Sequence, residues 1–307
     1  MTWRAAGYQG SASILTAALA GLCETLRQQG GAWANLQFTP NVTAEGEGAM
    51  SLFASVEANR RQLCYLASGY LSQRVPELQV LDLPFTHTDR QRLFQALDSE
   101  AGQALRQAVE RQTDFRVLGF WDNGQRHITN ALRPIRSPAD AAGMRIRTLD
   151  SALYRASLNA MGFEAVTCDV KELVPWVASG AVQAQENPLT NYLGFELWRH
   201  HPHVSLTGHF WGALLLVCPA PWYASLTPIQ QDQLQVAALR ATALQRDRAA
   251  GEDERALQRL RELGTTCLMP EELDQAGFQR SVHALRQHVL ADLPPGLVQA
   301  WDLSPLN

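Results

Sequence analysis

From Trp3 to Trp121, short apolar runs alternate with amphipathic stretches of helical period, and the alternation resumes from Pro138 to Pro188. This order constrains the chain more than any other feature. Strands separated by helices pair in parallel through crossovers and need helices on both faces of their sheet. Strands are predicted at Trp3–Gly7, Ala34–Thr39, Leu63–Ala67, Leu78–Leu83 and Phe115–Trp121. Helices are predicted from about Ala12 to Gln29, stopped by Gly30-Gly31, and over Ala49–Gln62 and Asp89–Gln112. In the second half, Ser137-Pro138-Ala139-Asp140 reads as a capping box with proline at the first helical position. Strands at Met144–Thr148, Ala165–Cys168 and Val182–Glu186 then alternate with helices at Ser151–Met161 and Lys171–Ser179. Thr227-Pro228-Ile229-Gln230 opens a helical pattern reaching about Leu263, interrupted near Gly251. At 1.5 Å per residue it would run about 50 Å, longer than one lobe is wide, so it is expected to brace two.

A chain of 307 residues suits two lobes of ordinary domain size. The expectation is an α/β fold with mostly parallel sheets flanked by helices and discontinuous lobes: 1–122 plus 212–251, and 123–211 plus 252–307. Breaks are expected near Asp122-Asn123, Trp211-Gly212 and Gly251-Glu252. With 46% apolar and 18% charged residues the chain is globular, and a net charge of −4 without a basic block argues against nucleic acid or an anionic membrane as partner. The longest apolar run, Phe210 to Cys218, ends at Pro219 and falls far short of the roughly 20 residues of a membrane helix. The chain starts Met1-Thr2-Trp3-Arg4 and enters a strand with no secretory leader. It is therefore either cytoplasmic or a protein whose leader has been removed. Cys23, Cys64, Cys168, Cys218 and Cys267 are scattered without a CxxC pair and read mostly as small buried thiols, at least one of them free.

Signatures of nucleotide binding and of serine hydrolases are absent: no GxGxxG follows a strand, and there is no P-loop and no GxSxG elbow. Gly46-Glu47-Gly48 lacks a third glycine and reads as a loop. His200-His201-Pro202-His203 has the ligand type of a metal site, but proline breaks the helical spacing and no matching cysteine or carboxylate adjoins it, so no metal is expected. Asn41-Val42-Thr43 matches a glycosylation sequon that means little outside a eukaryotic secretory context.

The informative segment lies between Gly124 and Pro188. Arg147 stands at the carboxyl end of its predicted strand, the end that faces the ligand crevice in open α/β sheets. Its planar fork matches a carboxylate with two parallel hydrogen bonds. Asn187, at the same place on its own strand, offers one more donor. The residues alone leave alternatives open: Arg147 also suits a surface or lobe-bridging salt bridge, and Asn187 a turn before proline.

Three pieces in order, Gly124-Gln125-Arg126-His127-Ile128-Thr129-Asn130, Pro138 through Gly143-Met144-Arg145-Ile146-Arg147, and Gln185-Glu186-Asn187-Pro188, resemble the DctP-type substrate-binding subunits of tripartite ATP-independent periplasmic (TRAP) transporters. Val75-Pro76-Glu77-Leu78 through Leu83-Pro84-Phe85 and the long helix after Thr227 are similar too, so the resemblance covers nearly the whole chain. Gln183-Ala184 stands where the family has Asp-Gly, and Arg145 where it has lysine; both departures leave the clamp positions in place. The resemblance implies a two-lobed periplasmic-binding-protein-like fold and a hinge closure over a small carboxylate. It also implies delivery to an integral membrane permease, a periplasmic location, no cofactor and no catalysis. It makes Arg147 the main salt bridge to the ligand, with Asn187 and Arg126 in support.

Other expected pocket positions carry two readings each. Trp211 is a ligand-facing aromatic or a core tryptophan. Tyr8 and Gln9 lie in the first β–α loop, and Ser68 and Tyr70 just past a strand. Val170 is an apolar wall. Asp150 is a ligand acceptor or, better, the cap of the helix starting at Ser151. Two arginines against one possible acid, with apolar and aromatic walls, point to a compact hydroxy-, oxo- or aromatic monocarboxylate. The protein is expected to be monomeric. A ligand-sensing module for a membrane signalling protein shares these features, while an enzyme anchoring its substrate through Arg147 lacks a nucleophile–base pair.

Overall fold

The structure, a computed structural model, describes residues 2–303; Met1 and residues 304–307 lie outside them. Strand β1 (Trp3–Ala6) leads to helix α1 (Ile14–Gly30), whose N-cap Ser13 accepts from Leu15 N. Strand β2 (Leu36–Thr39), helix α2 (Ala49–Glu57) and strand β3 (Cys64–Ala67) follow. Where Leu78–Leu83 reads as a strand, the chain forms a 3₁₀ turn at Pro76–Leu78 and a helical turn, α3 (Gln79–Asp82). Val80, Leu81 and Asp82 are buried in succession, and a short apolar run with no exposed side carries no period from which to tell the two structures apart.

The single helix predicted over Asp89–Gln112 is two, α4 (Arg90–Asp98) and α5 (Glu100–Gln112). Ser99 divides them: its Oγ donates to Ala96 O at 2.7 Å and accepts from Ala101 N at 3.2 Å, ending one helix and capping the next. Strand β4 (Phe115–Asn130) then runs well past the predicted Trp121. There follow β5 (Arg145–Thr148), α6 (Ala152–Ala160), β6 (Glu164–Thr167), α7 (Val170–Ser179), β7 (Ala184–Pro188) and α8 (Leu189–Gly194). A second long strand, β8 (His203–Pro219), leads to α9 (Ala220–Ser225), α10 (Pro228–Ala249), α11 (Glu252–Glu262), β9 (Thr266–Leu268), α12 (Gln275–Ser281), α13 (His283–Asp292) and α14 (Pro295–Ala300).

The strands pair in a mixed pattern. β1–β2, β5–β6, β5–β7 and β8–β9 are parallel, whereas β3–β8 and β4–β7 are antiparallel. Crossover helices dictate parallel pairing only between the strands they join, as α6 does for β5 and β6. β4 and β8 fall outside such units, which is why mostly parallel sheets were expected and mixed ones are found.

The chain forms two compact units. The first comprises residues up to Ala67, Arg106–Asn123 and Ala213–Gly251; the second comprises Ser68–Leu105, Gly124–Gly212 and residues from Glu252. Ser68–Leu105, assigned from sequence to the first lobe, clusters with the second unit. In the first unit α1 packs on α10, burying Leu15, Leu19, Leu22 and Leu26, one stripe at 3.6-residue period. Trp121 Nε1 donates to Thr242 Oγ1 at 3.0 Å, and the Gln245 amide bonds both backbone groups of Asp122, at 2.8 and 2.6 Å, replacing strand partners at that point of β4. In the second unit Ile128, Met144, Ile146, Leu158, Met161 and Phe278 form a fully buried core. Each such side chain contributes about 1.5–3 kcal/mol through burial. Gly124 sits at φ +83°, and a Cβ there would meet Asp253 Oδ2 at 2.8 Å, so both backbone and space demand glycine. The helical pattern after Thr227 breaks at Ala250-Gly251, leaving α10 in the first unit and α11 in the second. Among the described residues no helix is long and apolar enough to cross a membrane.

Candidate ligand-binding site

Strand register sorts the motif residues onto two faces. Arg147 pairs with Gln185 across β5–β7; Thr129 pairs with Gln185 and His127 with Asn187 across β4–β7. Paired residues share a face and neighbours alternate. Arg147, Gln185 and Asn187 therefore stand on one face. Arg126, which pairs with Pro188, stands on the other with Glu186 and Thr148.

On that second face Arg126 is committed to protein. Its Nε donates to Glu186 Oε2 at 2.5 Å, and its Nη2 donates to Glu186 Oε1 and to the Glu186 carbonyl, each at 2.9 Å. Thr148 Oγ1 donates to Glu186 Oε1 at 2.6 Å, and His209 Nε2 lies 3.6 Å from Oε2. Burial alone would raise the pKa of Glu186; the Arg126 charge and hydrogen bonds, with the His209 ring beside them, overcome it and hold the carboxyl at about 2. The Arg126 guanidinium lies over the Tyr154 ring at 5.5 Å, and Tyr154 stacks on Phe210 at 4.1 Å. Burial, His209 and Arg126 push His127 down to about 3, so it is a neutral ring whose Nδ1 accepts from Gly208 N at 3.1 Å.

Arg147 is in a different state. It is 2% exposed, its Nη2 donates to the Cys168 carbonyl at 2.7 Å, and the buried Tyr70 phenol lies within the reach of its charge. Its Nε has no hydrogen-bond partner, and no carboxylate among the described residues forms an ion pair with it. A charge removed from water without a counter-charge is strongly unfavourable. Nearby, Asn187 Nδ2 donates to Gln185 Oε1 at 2.6 Å, and its Oδ1 accepts from Arg126 Nη2 and Asn191 Nδ2, each at 3.3 Å. Gln185 Nε2 continues to Thr129 Oγ1 at 2.7 Å, which contacts His201 Nδ1 at 3.3 Å. Asn187 is thus fixed in orientation by a hydrogen-bonded row across β4 and β7.

The remaining expected positions are placed as follows. Ser68 donates to Asp82 Oδ1 at 2.7 Å. Val170, half-buried, begins α7 behind the Asp169 N-cap, directly after Cys168. Asp150 is exposed, and the cap of α6 is Ser151, which accepts from Tyr154 N at 3.4 Å; the Asp150 cap is corrected by one residue. The helix starts at Ala152, so only Ser151 stands at the position where a side-chain oxygen reaches the free N–H groups. Trp211 is buried in β8. Tyr8 and Gln9 belong to the first unit: Tyr8 packs edge-on against Phe53 at 5.6 Å and against Tyr65 at 4.9 Å, and Gln9 Oε1 accepts from Ser13 Oγ at 2.6 Å. His201 is buried, and among the described residues no cluster of three or more His, Cys, Asp or Glu is placed to hold a metal.

Three neighbours escape the sequence. Glu186 lies inside a motif, yet only the fold reveals it as the counter-charge of Arg126. Asp82 accepts from Ser68 and Tyr154 on Oδ1 and leaves Oδ2 bare; burial raises its pKa to about 7. The signal in sequence was an acid inside the apolar run Val80-Leu81-Asp82-Leu83. Cys168 becomes notable only through its contact with Arg147.

Known proteins share this fold. The 2,3-diketo-L-gulonate-binding periplasmic protein of Escherichia coli is 27% identical over 257 residues, covering 83% of this chain and 77% of that protein. A solved TRAP periplasmic solute-binding protein from Roseobacter denitrificans, holding β-D-glucuronate, superposes with a TM-score of 0.92 at 20% identity over 99% of this chain and all (100%) of that one. One from Bordetella bronchispeptica, with density assigned to pantoate, superposes at 0.91 and 22% identity over 100% of both chains. Relatives from Haemophilus influenzae and Verminephrobacter eiseniae are longer, and the chain spans 66% of each. The sequence model of DctP, bacterial extracellular solute-binding protein family 7, matches residues 6–292, and the chain belongs to that family.

Proposed function

We propose that the protein captures a small monocarboxylate in the periplasm, with Arg147 as the clamp, and delivers it to a TRAP-type membrane permease without chemical change. One observation carries the reading: Arg147 is 2% exposed and has no carboxylate partner among the described residues. Arg126 is neutralised by Glu186, whereas Arg147 has no carboxylate partner among the described residues, and one such clamp suits a ligand with one carboxylate. Asn187, held in place by Gln185 and Arg126, supports the same anion with the second N–H of its amide. The ligands named for the E. coli, Roseobacter and Bordetella relatives are each monocarboxylates, which supports the class. Within it we favour a compact hydroxy-, oxo- or aromatic acid, with Tyr70, Val170 and Trp211 as walls and hinge closure over the bound acid.

A thermal-shift screen with pantoate, pyruvate, benzoate, D-glucuronate and succinate, followed by calorimetry, tests the reading. A true ligand at 100 times its dissociation constant stabilises by about 2.7 kcal/mol. Arg147→Ala is expected to abolish that shift while folding normally; unchanged affinity in this variant would remove Arg147 from the site. Succinate binding far above the monoacids would overturn the ligand class and leave the clamp standing.

A further inference from the structure

Cys168 stands between the end of β6 and the Asp169 cap of α7, and it is half-buried, whereas Cys23, Cys64 and Cys218 are buried. It does not stand alone. The 2%-exposed Arg147, with a bare Nε, donates through Nη2 to the Cys168 carbonyl at 2.7 Å, which sets its guanidinium charge beside this residue. An anion drawn to this guanidinium therefore arrives beside a sulfur that solvent can reach.

We propose that Cys168 is a wall of the Arg147 anion site and a covalent modification site, such that small anionic thiol reagents enter as ligand mimics and their adduct blocks carboxylate capture. The proposal rests on the reading of Arg147 as the ligand clamp. The reaction needs no outside oxidant. The thiolate attacks the sulfenyl sulfur of a methanethiosulfonate, a mixed disulfide forms, methanesulfinate leaves with the electron pair, and the thiol proton passes to solvent. Burial raises the Cys168 pKa and Arg147 lowers it in part, while Glu172 and Asp169 oppose Arg147. The effect of Arg147 is therefore read as a difference between wild type and Arg147→Gln. Cys267, also half-buried, is the internal reference.

The full chain is treated with anionic sulfonatoethyl methanethiosulfonate or cationic trimethylammonioethyl methanethiosulfonate, and each cysteine is followed by peptide mass spectrometry. The ratio of anionic to cationic rate at Cys168, relative to Cys267, is expected to be about fivefold higher in wild type than in Arg147→Gln, since one nearby positive charge acts oppositely on the two reagents. An equal ratio in the two proteins overturns the proposal. The tightest-binding acid among pantoate, D-glucuronate and succinate is expected to weaken by about tenfold or more once Cys168 carries the sulfonatoethyl group, because the adduct occupies the clamp. In Cys168→Ser the affinity for that acid should be the same before and after exposure to the reagent. Full binding by the Cys168 adduct also overturns the proposal while leaving Arg147 as the clamp. If none of the acids binds wild type, the proposed ligand class fails, and the rate ratio alone decides for or against Cys168.

Discussion

Two buried arginines on opposite faces of one sheet have opposite fates. Arg126 is 3% exposed and Arg147 2%, so burial does not distinguish them. Arg126 has a bidentate carboxylate, a carbonyl, an amide and an aromatic face around it. Arg147 has a carbonyl, and no carboxylate among the described residues. The first arrangement is complete and holds β4 to β7. The second lacks a counter-charge, which the carboxylate of the proposed ligand would supply. Compensation, not burial, distinguishes these two arginines.

The largest expected effect comes from breaking the complete pair. Glu186→Ala strands Arg126 inside the second unit and should destabilise by about 3–5 kcal/mol, measured by urea unfolding. Stability within 1 kcal/mol of wild type, on the scale of surface substitutions, would mean that Arg126 is not dependent on Glu186.

Arg147 should show the converse, with binding lost and stability kept. Arg147→Lys retains charge but not the fork, and calorimetry is expected to find affinity reduced by about 2 kcal/mol or more. Near-normal binding by the lysine variant would turn the site into a point-charge attractor without bidentate geometry.

Thr148→Val sharpens the comparison. It removes one charged hydrogen bond from Glu186 at nearly constant volume and should cost about 1.5–3 kcal/mol of stability with ligand affinity unchanged. A parallel fall in affinity would show that the two faces are coupled.

The smallest effect concerns pH and two buried acids that shift in opposite directions. Glu186 is held at about 2, below its ordinary 4.5, so its stabilising contribution is full above 4.5 and disappears as pH falls towards 2. Asp82, raised to about 7 from 3.8, binds a proton in the folded state that the unfolded chain releases, so its contribution is present below 3.8 and is lost as pH rises through 7. Asp82→Asn should therefore raise the melting temperature at pH 8 by a few degrees more than at pH 5. An equal gain at both values would show that Asp82 does not titrate in this range.

How much of this was legible follows from which forces are local. Helices α1, α6 and α7 and strands β1, β3, β5 and β6 stand within a few residues of their predicted places, because hydrophobic period, glycine stops and caps are properties of neighbours in sequence. The α4–α5 break was hidden because Ser99 interrupts the helix without changing its apolar period. The α3 turn was hidden because Val80, Leu81 and Asp82 are all buried, which removes the contrast that periodicity needs. At the site, the position of Arg147 on its strand was readable from alternation, whereas Arg126 lies on the part of β4 beyond the predicted end at Trp121.

The sequence by itself determined the α/β class, the family motifs and the presence of two arginines suited to a carboxylate. Only the tertiary structure decided which arginine is already satisfied. Glu186 lies 60 positions from Arg126 along the chain and reaches it at 2.5 Å, while Arg147, only 39 positions from Glu186, belongs to the other face of the sheet. Charge compensation depends on distance in space and on which side of a pleated sheet a residue points, and neither is a function of separation along the chain.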